Sequence, residues 1–181
     1  PIIAVTGSSG AGTTTVSQTF EQIFWRENVS AVFVEGDSFH RFTRAEMIRQ
    51  TAAADRDGRP APTHFGPEGN DFEGIEALFK GYAESGRGQF CHYIHDEVEA
   101  AKFGGEIGGF SAFEEIPEGT DLLLYEGLHG AVQTETVDAA KYPDLLIGVV
   151  PIINLEWIQK LHRDMNLRGY SREAVTTTIL R

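Results

Sequence analysis

The chain has 181 residues, 41% hydrophobic and 23% charged, with a net charge of −12. That is enough for a sizeable core and too acidic for a general nucleic-acid or anionic-membrane surface. No apolar run approaches the roughly 18 residues that cross a bilayer, no signal-peptide pattern opens the sequence, and the one cysteine, Cys91, excludes an intrachain disulfide and fits a reducing cytoplasm.

Ile2-Ile3-Ala4-Val5 predicts a buried strand, and the spacing of Val16, Phe20, Ile23 and Phe24 predicts a helix. Between them lie Gly7, Ser8, Ser9, Gly10, Ala11, Gly12, Thr13, Thr14 and Thr15. Strand, glycine loop and helix together form the setting of a phosphate-binding loop. The glycines let several backbone N–H groups turn toward one anion, and the helix N-terminus adds partial positive charge. The pattern G-x-x-x-x-G-K-[ST] expects a lysine where Thr13 stands, while Thr14 falls on the hydroxyl position associated with magnesium. A cation from elsewhere must therefore serve the terminal phosphate of a bound nucleotide.

Ala31-Val32-Phe33-Val34 predicts a second strand ending at Glu35-Gly36-Asp37. Thr43 and Glu46 have capping-box spacing for a helix reaching about Ala54. The Pro-, Gly- and charge-rich stretch 55–69 reads as a loop. Asn70 and Glu73 suggest another cap, before an amphipathic helix carrying Phe72, Ile75, Leu78, Phe79 and Tyr82 and stopped by Gly86 and Gly88. Phe90–Ile94 reads as a short strand and 97–119 as irregular. Leu122-Leu123-Leu124-Tyr125 and Leu145–Val150 read as buried strands, the second ended by Pro151. Ile153 to about Met165 is expected to be helical, and Ser171 to cap a last helix. Strands alternating with helices imply one α/β domain over 1–181, with a mostly parallel sheet covered by helices on both faces. The chain opens on Pro1 rather than Met, and Thr176–Arg181 reads as a helix cut short, so the natural chain is expected to be longer.

In an open parallel sheet, ligands bind at the carboxyl ends of the strands. Glu126, closing an apolar strand, is placed to hold magnesium with Thr14 across the site. Asp37 is the candidate base, because a hydroxyl acceptor needs a carboxylate to orient it and take its proton. His40 and Arg44 are four apart, would share a helix face, and suit a phosphate on the acceptor. His95 alone reads as packing or surface. Lys160, Arg163, Asp164 and Arg168 sit at a helix end with the pattern of a lid closing over transferring phosphate. Its cations stand in for the missing loop lysine.

These segments together resemble the phosphoribulokinases, in particular the bacterial kind that is not regulated by thiols. The likeness is carried by Gly7–Thr14, Glu35–Arg41, Tyr125–Gly130, and Val150–Lys160 running into Arg163-Asp164 and Arg168-Gly169-Tyr170. Threonine in place of the loop lysine belongs to that kind. The resemblance implies a P-loop kinase of the uridine kinase-like group that uses ATP and Mg²⁺ to convert ribulose 5-phosphate to ribulose 1,5-bisphosphate in the Calvin cycle. It implies Asp37 as base, and Lys160, Arg163 and Asp164 as catalytic. It further implies His40, Arg44, His95 and Arg168 as sugar-phosphate binders, raising His95 above its stand-alone reading, and Glu126 as the metal-associated acid. Thiol-regulated relatives carry a cysteine where Ala11 stands, so no thiol switch is expected. The resemblance further implies a longer chain, a homo-oligomer (commonly an octamer), activation by NADH and inhibition by AMP.

A related uridine or pantothenate kinase would share the loop, the acid after the second strand and the lid. His40, Arg44 and His95 favour a phosphorylated sugar over a nucleoside. A nucleotide-binding regulator without transfer activity is the rival from another class.

Overall fold

The computed structural model describes residues 1–166 and 168–180. Leu167 and Arg181, read above as parts of the lid stretch and the last helix, lie outside the described residues. The first strand, β1 (Ile2–Thr6), runs through the glycine loop into α1 (Thr13–Glu27), and β2 (Ala31–Glu35) follows. A single 3₁₀ turn, Gly36–Phe39, leads toward α2 (Arg44–Asp57) and α3 (Phe72–Ser85). Then come β3 (Gln89–Phe90), α4 (Glu97–Phe103), β4 (Glu114–Glu115), β5 (Leu122–Gly127) and β6 (Leu145–Gly148). Two helices end the described chain, α5 (Ile153–Asn166) and α6 (Arg172–Ile179).

The main sheet is parallel, in the order β2-β5-β1-β6. Successive residues of a strand point to opposite faces, so a strand buried on both sides must be apolar throughout. Ile2, Ala4, Val32, Val34, Leu123 and Tyr125 pack with the α3 side chains Phe72, Ile75, Phe79 and Tyr82. Ile3, Val5, Leu122 and Leu124 pack with Phe24, Phe20 and Val16 of α1. The expected fold class, a P-loop kinase with helices on both faces of a mostly parallel sheet, is the one found.

Five local expectations need correction. Among the described residues Leu145–Val150 is not a buried strand: β6 lies at the end of this sheet beside β1, and Leu145 and Leu146 are 46% and 42% exposed. The stretch 97–119 is not wholly irregular, since Asp96 caps the short α4 by accepting from the N–H groups of Val98 and Glu99. Phe90–Ile94 is strand only at Gln89–Phe90, with a separate bridge from Tyr93 to Phe110. Asn70 does not cap α3; its side chain is engaged elsewhere, and Asp71 occupies that position without a capping hydrogen bond. His40 and Arg44 share no helix face, because α2 begins at Arg44, behind the expected Thr43–Glu46 capping box.

Tyr125 sets the spacing at the strand ends. Its ring is fully buried and meets Phe79 edge-on, with centroids 5.3 Å apart. Glycines surround it: a Cβ on Gly36 would fall 2.6 Å from the Tyr125 hydroxyl, and one on Gly130 would fall 2.9 Å from the ring. Close approach, not turn geometry, therefore requires the glycine before Asp37. Gly36→Ala should cost about 1–3 kcal/mol by overpacking, read as a lower urea midpoint. Adding Tyr125→Phe, which removes the nearest atom, should restore part of the loss; no recovery would mean that the hydroxyl is not the obstruction.

Candidate active site

Register places the functional ends of three strands side by side. Thr6 pairs with Gly127, and Glu35 pairs with Glu126. The glycine loop, the turn carrying Asp37 and the carboxylate of Glu126 thus open onto one cleft of about 950 Å³, within the usual range for ligand pockets.

Gly10 and Gly12 of the loop have φ of +99° and +100°, which other residues rarely adopt. Gly12 is the N-cap of α1 and provides no side-chain cap. Thr15 N–H turns back to the Gly12 carbonyl at 3.1 Å, while the N–H groups of Thr13 and Thr14, without partners in the helix, are left to a ligand. At the same end Glu126 has its carboxyl pushed up by burial, and hydrogen bonding from the Thr13 and Thr14 hydroxyls offsets part of the rise.

Helix α5 lies directly over this loop. A Cβ on Gly10 would come within 3.1 Å of Lys160 Cβ and 3.2 Å of the Glu156 carbonyl. Lys160 Nζ donates to Ser9 Oγ at 3.2 Å, and Arg163 Nη2 donates to the same oxygen at 3.0 Å. Two cations therefore stand where the absent loop lysine would have reached. Asp164, only 4% exposed, holds the group together. Lys160 Nζ lies 3.3 Å from its carboxylate, Arg163 Nε 2.8 Å and Arg168 Nη1 3.5 Å. Burial would raise the Asp164 carboxyl, but these cations hold it below its ordinary value. Asp164 is so enclosed by them that its effect on a ligand passes through the three side chains it orients.

Across the cleft, His40 Nε2 is 3.3 Å from one oxygen of Asp37, and His95 Nε2 is 3.2 Å from the other. Burial would raise the Asp37 carboxyl; hydrogen bonds from both rings, and their charge, outweigh it and hold the group well below the usual carboxylate range. The Asp37 side chain is still 45% exposed to the cleft, so a hydroxyl can reach it. Arg44 joins this wall through the backbone, with Nη2 donating to the His95 carbonyl at 3.4 Å. Of the predicted site residues, the cleft is lined by Gly7–Gly10, Thr13 and Thr14 with Glu126, Lys160, Arg163, Asp164 and Arg168 on one side, and by Asp37, His40, Arg44 and His95 on the other; Ala11, Gly12 and Thr15 do not line it.

Several residues of this wall went unread in the sequence. His64, in what read only as a loop, lies with its ring centroid 4.5 Å from that of His40, and its Nδ1 is buried without a partner. Tyr93 meets the rings of both His40 and His95; its spacing of two from His95 in an extended segment was an available signal. Glu35 lies beside Glu126 in the sheet, and lone strand-end acids give no hint of such pairing.

Strand, glycine loop and the α5 cations above it have the form of a phosphoryl-transfer class of site. The family model described as "Phosphoribulokinase / Uridine kinase family" matches residues 2–181, and the chain belongs to that family. It is 61% identical over 181 residues to the chromosomal phosphoribulokinase of Cupriavidus necator and 58% identical to a phosphoribulokinase of Nitrobacter vulgaris. Each match covers 100% of this chain and 62% of the relative, so the chain spans less than two thirds of those proteins. A solved phosphoribulokinase from Rhodobacter spheroides superposes with a TM-score of 0.84 at 48% identity, covering 99% of this chain and 61% of that one.

Although Glu35 opens on the cleft, desolvation by the crowded strand ends, then repulsion from Asp37 and Glu126, pushes its carboxyl up to about 7. The folded state therefore binds this proton more tightly than the unfolded chain does. Ionisation costs stability as pH rises from about 4.5 to about 7. In metal-free buffer, Glu35→Gln should raise the melting temperature at pH 8, and the gain should vanish near pH 4.5. An equal gain at both pH values would show that charge is not its source.

Proposed function

We propose that this chain carries the site at which ATP phosphorylates D-ribulose 5-phosphate to D-ribulose 1,5-bisphosphate, the step that makes the CO₂ acceptor of the Calvin cycle. The observation that carries the reading is Asp37, an ionised carboxylate set between two histidines and facing the glycine loop across one cleft. An uncharged sugar acceptor has no need of so much positive charge on that wall; a phosphorylated one does. The names of the relatives support the same acceptor.

In this reading the N–H groups of Gly7–Thr15 and the α1 terminus hold the ATP phosphates. His40, Arg44, His95 and Arg168 bind the sugar phosphate and turn its free hydroxyl toward Asp37. Asp37 accepts the hydroxyl proton as the oxygen attacks the γ-phosphorus. Its low proton affinity suits a loose transition state, in which the proton leaves late and the carboxylate chiefly orients. Lys160 and Arg163 move from Ser9 to the transferring phosphoryl oxygens, and Asp164 keeps them poised by orienting both. Thr14 and Glu126 fit magnesium, since a hydroxyl and a carboxylate of raised proton affinity stand together there. The ion would neutralise charge on the phosphate oxygens. The reading extends to a homo-oligomer activated by NADH and inhibited by AMP, which rest on the family resemblance alone.

The full-length protein should consume ATP with ribulose 5-phosphate and not with uridine. Turnover with uridine alone would overturn the acceptor. Asp37→Asn should lower kcat by roughly 10²–10⁴ with ATP affinity nearly unchanged. Arg168→Ala should raise KM for the sugar phosphate, and an unchanged KM would remove it from the pocket.

A further inference from the structure

Asn70 is 1% exposed, and its side chain is fully committed. Nδ2 donates to the carbonyls of His64 at 2.9 Å and Gly66 at 2.8 Å. Exchanging the amide's oxygen and nitrogen would set an oxygen against two carbonyl oxygens, so its orientation is determined. Oδ1 therefore faces His40 Nδ1, at 2.9 Å, and must receive a hydrogen from it. The other ring nitrogen, Nε2, faces the Asp37 carboxylate at 3.3 Å, which also only accepts. A neutral imidazole has one N–H, and Asn70 claims it. Neutral His40 would then turn a lone pair toward a carboxylate.

We propose that Asn70 is a positioning residue that holds His40 as the imidazolium, so that the acceptor wall keeps a fixed cation for an anionic substrate group. The proposal rests on the phosphorylated-acceptor reading above, and the test separates the two. The groups facing His40 fit it. Asp37 is on its own segment; His64 lies against it from the 58–71 loop; Tyr93 and His95 come from the following extended segment; Arg44 comes from α2, and His129 from the turn after β5. Hydrogen bonds from Asp37 and Asn70 raise the His40 proton affinity against the effect of burial. Burial, then the charge on His40, pushes neighbouring His64 down to about 4, so of the two tilted rings His40 is the one that holds the charge. The same amide ties the loop down, because its two carbonyl partners belong to that loop.

Two variants separate charge from scaffolding. Asn70→Leu and Asn70→Asp both lose the ties to His64 and Gly66, but only leucine loses the acceptor facing Nδ1. In full-length protein labelled with ¹⁵N-histidine, His40 should carry two N–H groups at pH 7.5 in the wild type and in Asn70→Asp. In Asn70→Leu it should be neutral, with its single N–H on Nε2 toward Asp37. KM for ribulose 5-phosphate should then rise roughly tenfold between pH 6 and 8 in Asn70→Leu, the loss of about one charge-assisted hydrogen bond, and not in Asn70→Asp. A single N–H on wild-type His40, or the same pH course for both variants, overturns the proposal. The ¹⁵N measurement needs no turnover, so it stands even if another acceptor proves to be the substrate.

Discussion

Parallel pairing of β5 between β1 and β2 is the constraint on which the site depends. It is set by apolar runs that must be buried on both faces, and it ends three strands at one level. Each strand then delivers one chemical part: the anion-binding loop, the turn with Asp37, and Glu126. A slip of one residue in β5 would turn Leu122 and Leu124 to the face of Leu123 and Tyr125, exchanging the two cores at once. The Tyr125 ring among glycines fixes the same register by shape, because only a residue without Cβ can pass it at Gly36 and Gly130. The position of Asp37 is thus a consequence of how tightly the sheet closes around one aromatic side chain.

Charge is arranged against the average of the chain. A protein with net charge −12 gathers its useful cations at the cleft and assigns each an internal partner. Asp164 serves Lys160, Arg163 and Arg168; Asp37 serves His40 and His95. Buried Asp164 thereby avoids the cost of an unpaired charge, and half-exposed Asp37 is held between two rings. The Lys160, Arg163 and Arg168 side chains and the two histidine rings are thereby held in fixed positions on the cleft wall. The exception is the neighbouring pair Glu35 and Glu126, where both carboxyls are pushed up and, among the described residues, no ion pair is made to either. That imbalance is what a bound cation would relieve.

The sheet was legible because its signal is local and repeated. Ile2–Val5, Ala31–Val34 and Leu122–Tyr125 are apolar at every position, and the 3.6-residue spacing of α1 and α3 is strong. The exposure of β6 within residues 1–181 is not written in its composition: Leu145 looks like Leu122, and only the strand order tells which of them has a strand on each side. α4 was missed because seven residues hold too little periodicity to stand out, although Asp96 was a usable cap. The acceptor wall was read only where single residue types suggested phosphate. Asn70 resembled a helix cap, since an asparagine before an apolar run usually is one. Its actual role depends on a loop folding back across the 3₁₀ turn, a contact without any sequence periodicity.

The missing loop lysine shows how one chemical need can be met by a different mechanical arrangement. A lysine within the glycine loop shares a backbone with the phosphate cradle, so its charge is present whenever the loop is formed. Lys160 and Arg163 sit on α5, and their approach depends on helix packing over Gly10. With the loop's glycine at the contact, a side chain of any size there would hold the helix away and separate the cations from Ser9. Charge delivery is thereby coupled to the position of a whole helix. Asp164 of that helix also holds Arg168, so the cations over the glycine loop and Arg168 share one carboxylate. On the function proposed above, a loop lysine would stabilise phosphate wherever α5 stood, whereas cations on α5 would do so only with the helix packed over Gly10. On the same reading, that coupling would favour transfer to the sugar over transfer to water.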